Sequence, residues 1–108
     1  MKFKTIIEGR EIKLKGDVET STVTISSKQI AKLLNVKHSA VIYHTEREQR
    51  FFEVYNLIKT NKGYAYSFES ATFIISMFGN KKAQDYAIEL YSAITAIEKN
   101  LKLKREVN

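Results

Sequence analysis

The amino-acid sequence predicts a single α+β domain whose elements follow in the order ββ-β-α-α-β-β-α-α. Three observations lead to this prediction. Residues 3–7 and 11–15 alternate apolar and polar side chains, as half-buried strands do. Residues 26–48 contain two short helical patterns with no proline between them. Residues 81–104 carry apolar side chains at the spacing of a long amphipathic helix.

The first of the two short helices is predicted to begin at Ser26. Gln29 follows three residues later, which is the spacing of a capping box, where two side chains satisfy free backbone N–H groups. Asn35 is predicted to end this helix, because asparagine tolerates the left-handed backbone conformation common at helix ends. A second helix is expected over about residues 39–48, so only a short turn would separate the two helices.

The spacing within this pair is typical of a helix-turn-helix. Ala31 is small enough to lie where the helices cross, and Asn35 stands four residues later in the turn. Val36 and Val41 then supply apolar side chains that hold the second helix against the first. His44 departs from the pattern, since an aliphatic residue is usual there. His44 is either a core residue or a residue that contacts a DNA base.

The segment over residues 51–68 predicts two strands joined by a tight turn. A strand hairpin directly after a helix-turn-helix is the wing of a winged helix, and Lys59 and Lys62 would lie at its tip. Tyr64 and Tyr66 alternate on the second strand, where packing and DNA contact are both open. We therefore predict a winged helix-turn-helix with an N-terminal β-hairpin and a C-terminal helical pair.

The chain of 108 residues has the length of one domain, and no linker-like segment divides it. Residues 1–22 are predicted to form the N-terminal β-hairpin extension, with its turn at Glu8-Gly9. Residues 23–68 are predicted to form the winged helix-turn-helix. Residues 69–104 are predicted to form two helices, the first of which ends at Gly79-Asn80.

The excess of basic residues favours a nucleic-acid partner. Eighteen Lys and Arg against twelve Asp and Glu give a formal net charge of +6, so the protein attracts polyanions. Lys and Arg suit phosphates and guanine edges, whereas Ser and Tyr suit phosphate oxygens. A lysine-rich solvated surface and a helix-capping role for His38 are the alternatives. The residues predicted to contact double-stranded DNA are Lys28, Lys37, His38, Ser39, Tyr43, Arg47, Arg50, Lys59 and Lys62.

Five short motifs follow one another between residues 23 and 101. They are Ser27–Ala31, His38 with Val41, Tyr66 with Phe68, Phe78-Gly79 with Lys82-Ala83, and Tyr91 with Ile94. In the order and spacing of these motifs the chain resembles the Rha family of phage regulatory proteins. The resemblance implies a phage or prophage origin, a DNA-binding regulatory role as a transcriptional regulator or antirepressor, and no enzymatic activity.

Side chains for catalysis are sparse. The chain has no cysteine, and its four glycines are too scattered for a phosphate-binding loop. Its two histidines, His38 and His44, lie six residues apart on different helix faces, which disfavours a shared metal. We therefore expect no catalytic residue, metal or cofactor. The alternative to DNA binding is a small inhibitor that binds a host or phage regulatory protein through its winged-helix surface.

Long apolar runs are absent from the sequence. No stretch has the length of a membrane span, and the start of the chain lacks the apolar core of a signal peptide. These features predict a soluble, intracellular protein without a membrane partner. The resemblance to the Rha family implies that it acts in the cytoplasm of a bacterial host.

The last predicted helix carries a heptad-like apolar seam, which indicates a homodimer. A symmetric dimer would place two reading helices on half-sites about one turn of DNA apart. The alternative is a wide apolar stripe buried entirely within one chain. The residues predicted to form the dimer interface are Leu90, Ile94, Ile97 and Leu101.

Overall fold

A computed structural model of the protein describes residues 1–55, 57–79 and 81–107. Within these ranges the chain forms an α+β fold with one antiparallel sheet and helices packed against it. The elements are β1 (Lys2–Ile7), β2 (Arg10–Asp17), β3 (Thr22–Ser26), α1 (Ser27–Leu34), α2 (His38–Arg47), α3 (Gln49–Phe52), a 3-10 turn (Glu53–Tyr55), β4 (Ile58–Thr60), β5 (Gly63–Tyr66), α4 (Phe68–Met77) and α5 (Ala83–Val107).

The five strands lie in the order β1-β2-β3-β5-β4, and every neighbouring pair is antiparallel. Strand β3 joins the two halves of the sheet. Its residues Thr22–Thr24 pair with β2, whereas Ile25 and Ser26 pair with β5. The N-terminal hairpin is therefore continuous with the rest of the sheet.

The predicted turn between the first two strands is confirmed at Glu8-Gly9. Glu8 has a φ of 51° and Gly9 a φ of 75°, so both central residues are left-handed, as the common two-residue hairpin turn requires. Strand β2 continues to Asp17, beyond residues 11–15, whose alternation predicts the strand. This continuation lets β2 pair with the first half of β3.

The predicted ends of α1 are confirmed. The Ser26 hydroxyl accepts a hydrogen bond from the backbone N–H of Gln29 at 3.2 Å, and Asn35 adopts the left-handed conformation with φ 56° and ψ 47°. The Gln29 side chain, however, accepts from the backbone N–H of Lys13 at 2.9 Å, so its carbonyl oxygen bonds to β2 and not to the helix start. The capping box is replaced by a single cap and a tether between α1 and β2.

The prediction of a strand from residue 51 is wrong for the first half of that segment. Phe51 and Phe52 lie in the short helix α3, and the strand is limited to Ile58–Thr60. The Phe52 ring is buried against Tyr66 and Phe73, at centroid distances of 6.0 and 5.5 Å. This aromatic packing favours a helical turn. Phe52, Val54 and Ile58 alternate in the sequence as a strand would, but only Phe52 is buried.

The C-terminal helices differ only slightly from the prediction. Helix α4 begins at Phe68, after the Ser67 hydroxyl accepts from the backbone N–H of Ser70 at 3.3 Å. It ends just before Phe78, and Gly79 follows with a φ of 60°, while Asn80 lies outside the described residues. Among the described residues, no helix combines the length and apolar character that crossing a bilayer demands.

Helix α5 packs across β1, β2 and β3 and against α4. Its apolar seam faces this core: Leu90 and Leu101 are 0% exposed, Ile94 is 2% exposed, and Ile97 is partly buried against the same cluster. The side chains predicted to form a dimer interface are thus used for packing within the chain, which is the alternative that the sequence left open. A homodimer would have to use other residues.

Candidate nucleic-acid interface

Helices α1 and α2 form a tight pair around the Asn35 turn. The backbone N–H of Val36 donates to the carbonyl of Ala31 at 3.0 Å, which closes the end of α1. Ala31, Leu34 and Val41 are buried, and α2 also contacts α4. The inner face of α2 is therefore held on both sides, and its other face is left to solvent.

The outer face of α2 carries a row of three predicted contact residues. Ser39, Tyr43 and Arg47 are exposed and follow at intervals of four, so they lie on one side of the helix. A hydrogen bond with Tyr43, supported by the nearby Glu48, raises the pKa of Arg47 above its usual value. The Arg47 Nε atom lies 3.5 Å from Glu48 Oε1. The row thus presents a permanent cation beside two hydroxyl groups.

His38 occupies a different environment from the rest of the predicted set. Its Nε2 atom lies 2.7 Å from the hydroxyl oxygen of Ser27, which is buried at the start of α1. The same oxygen accepts the backbone N–H of Tyr64 at 3.1 Å. His38 therefore has a partner inside the protein, and it connects α2 with α1 and β5. The alternative that His38 caps α2 is not seen either, because the N-cap position is Lys37 and, in the described structure, no side chain bonds to the free N–H groups there.

Gly63 brings the β4–β5 hairpin close to α2. Its φ is 139°, and a Cβ atom placed there would collide with the Ser27 hydroxyl and lie 3.1 Å from His38 Nε2. Lys62 directly precedes Gly63, and Lys37 directly precedes His38. The turn of the hairpin therefore meets the N-terminal end of α2, with an exposed lysine on each side of the contact.

The remaining predicted contact residues are exposed but lie on three elements. Lys28 is on the first turn of α1, and Lys59 is on β4 next to the hairpin turn. Arg50 lies on α3, because α2 ends at Arg47 and the chain begins a new helix. Arg50 is therefore not part of the α2 row.

His44 is half-buried. Its ring makes an edge contact with Phe78 at a centroid distance of 4.9 Å, and its Nδ1 atom is buried without a hydrogen-bond partner in the described structure. The core position is taken by its neighbour Thr45, which is fully buried. Thr45 follows Val41 by four residues, and this spacing places both on the buried face of α2. The sequence does not indicate burial of Thr45, because threonine carries a polar hydroxyl group.

Thr45 and Tyr66 form a buried polar pair beneath α2. The Thr45 hydroxyl donates to the carbonyl of Val41 at 2.8 Å, so the Tyr66 hydroxyl, 2.6 Å away, must donate to Thr45. Burial raises the pKa of Tyr66 to about 12. Tyr64 and Tyr66 are both buried, so their role is packing and not DNA contact.

A cleft of about 530 Å³ opens between β3, β4, α4 and α5. Three exposed apolar side chains line it, namely Val54, Ile58 and Tyr91. Glu69 and Glu98 add carboxylates to its lining. Among the described residues, the lining thus combines apolar side chains with hydroxyl groups and two carboxylates and contains no Lys or Arg, in contrast to the positively charged protein as a whole.

Comparison of the chain with protein-family models, with curated proteins and with solved structures found no match. The resemblance to the Rha family accordingly stays a prediction.

Proposed function

We propose that the protein is a DNA-binding regulatory protein, a transcriptional regulator or antirepressor, that places α2 in the major groove of double-stranded DNA. The observation that carries the proposal is the exposed row of Ser39, Tyr43 and Arg47 beside the hairpin turn. The cations of Arg47 on α2, of Lys37 just before it and of Lys59 and Lys62 on the hairpin fit a duplex, whose grooves are flanked by phosphates. The phage or prophage origin rests on the sequence resemblance alone.

Connectivity supports a winged-helix interpretation of the fold. Strand β3 leads directly into the helix pair, and the β4–β5 hairpin follows it, with β5 inserted between β3 and β4. This is the arrangement of a helix-turn-helix whose wing is anchored on the strand before its first helix. In this interpretation α2 reads the groove, and the hairpin turn lies against the phosphate backbone.

The expected roles follow from the chemistry of the side chains. Arg47 can form two parallel hydrogen bonds with a guanine edge or a phosphate, whereas Lys37 and Lys62 suit phosphates as compact charges. Ser39 and Tyr43 would donate hydroxyl hydrogens to phosphate oxygens. We assign His38 a positioning role, because the Ser27 hydroxyl already engages its Nε2 atom.

The direct test is a fluorescence anisotropy titration of the protein into labelled duplex DNA of random sequence, repeated from about 50 to 200 mM salt. Binding that weakens steeply with salt supports the proposal, because each phosphate contact releases counterions. Selection of bound fragments from random DNA would then identify the preferred site. No binding at the lowest salt concentration would overturn the proposal.

Replacing Arg47 with Ala is expected to lower DNA affinity and to reduce the slope of log K against log salt by about one unit. Arg105→Ala is the matched control, since it removes the same charge from the far end of α5, where Arg105 bonds to the carbonyl of Glu19. The control should leave the slope unchanged. Equal slopes for wild type and Arg47→Ala would exclude the α2 row as the contact surface.

Changing Lys59 and Lys62 together to Glu is expected to weaken binding to every DNA sequence by about the same factor, because phosphates carry no sequence information. Parallel titrations with a selected site and a random duplex measure this. Lys99→Glu with Lys104→Glu, on exposed positions of α5, provides a control of equal charge. A loss confined to the selected site would mean that the hairpin reads bases.

The second candidate function, binding of a host or phage regulatory protein, is supported by the cleft. Val54, Ile58 and Tyr91 are each more than half exposed around it, which is unusual for apolar side chains gathered in one place. Two results together would replace the first function with this one. The wild type would bind no DNA, and Tyr91→Glu would abolish the effect of the protein on gene expression in cells without changing its melting temperature.

A further inference from the structure

A second positively charged surface lies on the N-terminal hairpin, away from α2. Strand pairing places Lys2 directly opposite Lys15 and Lys4 directly opposite Lys13. All four side chains are exposed, because the alternate residues of both strands face the core. We call this set, Lys2, Lys4, Lys13 and Lys15, the lysine ladder. Like charges directly opposite on neighbouring strands are destabilising, so folding alone does not account for the arrangement.

The charge of the ladder continues onto α1. Lys28 and Lys32 are exposed four residues apart on this helix, and the Gln29 side chain ties α1 to the backbone of Lys13. Glu11 and Asp17 add carboxylates to the same exposed face of β2 as Lys13 and Lys15. The pKa of Glu11 is lowered chiefly by the hydrogen bond with Lys4, and also by the charges of Lys32 and Lys13.

Protection of a sheet edge explains only half of the ladder. Lysines on an edge strand prevent pairing with another chain, and β1 is an edge strand. Strand β2, however, lies inside the sheet between β1 and β3. Lys15 pairs with Thr24 of β3, and the Gln29 side chain of α1 covers the backbone of β2 at Lys13, so neither lysine protects an open edge. In the described structure Lys2, Lys13 and Lys15 form no ion pair.

We propose that the lysine ladder binds phosphates of the DNA backbone as a second contact surface. This inference rests on the proposed function and extends it. The ladder consists of lysines on the exposed face of two strands, and such compact charges suit phosphate contacts, which carry no sequence information. The ladder is at the opposite edge of the sheet from the β4–β5 hairpin, so it lengthens the DNA footprint and adds affinity that is independent of sequence.

The test compares two charge-matched triple variants in the salt titration. Lys2→Gln, Lys13→Gln and Lys15→Gln removes three ladder charges, and Lys99→Gln, Lys102→Gln and Lys104→Gln removes three from the exposed end of α5. The ladder variant is expected to lower the slope of log K against log salt by about two to three units on a duplex of about 25 base pairs. The α5 variant should leave the slope unchanged.

Thermal unfolding shows whether the ladder variant remains folded. Because cross-strand repulsion is relieved, its melting temperature should equal or exceed that of the wild type. If both triple variants lower the slope equally, the ladder is not a site and only the net charge matters. If Arg47→Ala lowers the slope and the ladder variant does not, the ladder inference fails while the proposed function stands. A wild type that binds no DNA overturns both.

Discussion

Replacing Leu90 with Glu is expected to unfold most of the protein at 25 °C. Leu90 is 0% exposed in the core beneath α5, so the variant loses the burial of a leucine and places an unpaired carboxylate among apolar side chains. Losing such packing costs about 2–5 kcal/mol, and burying the charge adds to it. A domain of this size has about 5–15 kcal/mol of stability in total. Circular dichroism with urea titration measures the loss.

The matched control is Ile88→Glu, two residues earlier on the same helix. Ile88 is 60% exposed, so this variant should change the free energy of unfolding by about 0.5 kcal/mol or less. The pair also bears on oligomeric state. If Leu90→Glu stayed folded with an unchanged urea midpoint and sedimented at half the mass of the wild type, Leu90 would lie in a dimer interface and the described packing of α5 would be wrong.

Replacing Gly63 with Ala is expected to destabilise the protein by about 2–4 kcal/mol and to weaken DNA binding. The residue has a φ of 139°, where any side chain is strained, and the new methyl group would collide with the Ser27 hydroxyl. Relief requires the hairpin to move away from α1 and α2. This movement would displace Lys62 relative to Lys37 and so disturb the proposed interface.

Further variants separate strain from collision in this prediction. Gly9→Ala introduces a methyl group at a φ of 75° with no atom within 4 Å, so it should be the milder change. Ser27→Ala alone should also destabilise the protein, because the Ser27 hydroxyl bonds to His38 and to the backbone of Tyr64. Combined with Gly63→Ala it removes the collision, so the double variant should lose less than the sum of the two single losses. Urea midpoints and anisotropy titrations of these variants and the wild type are the measurements. Equal midpoints for Gly63→Ala and Gly9→Ala would show that the close approach of the hairpin is absent.

Features set by neighbouring residues could be predicted from the sequence. Ser26 and Asn35 fix the two ends of α1 through backbone requirements that hold in any fold. The Glu8-Gly9 turn is similarly local. Once Val41 is known to be buried, the helical period alone predicts that Ser39, Tyr43 and Arg47 lie together on the exposed face of α2.

Features that depend on distant partners could not be predicted. Phe52 lies in a helix because Phe73 and Tyr66 surround it, and neither is near it in sequence. The apolar seam of α5 predicts that Leu90 is buried, but it does not identify the surface that buries it. The same pattern therefore fits both a dimer and a monomer. The lysine ladder has a visible signal, the alternation of lysines in both strands, yet its facing pairs appear only when the register is known.

The division of β3 between two partners constrains how proteins of this fold can vary in length. Five residues, Thr22–Ser26, serve both hairpins and end in the cap of α1. Because strand side chains alternate, inserting one residue in β3 would turn the core-facing side chains of one half of the strand toward solvent. It would also displace Ser26 from the start of α1. Insertions and deletions should therefore accumulate at the two hairpin tips. Evolution could then adjust the reach of either positively charged surface separately while the strand that joins them stays unchanged.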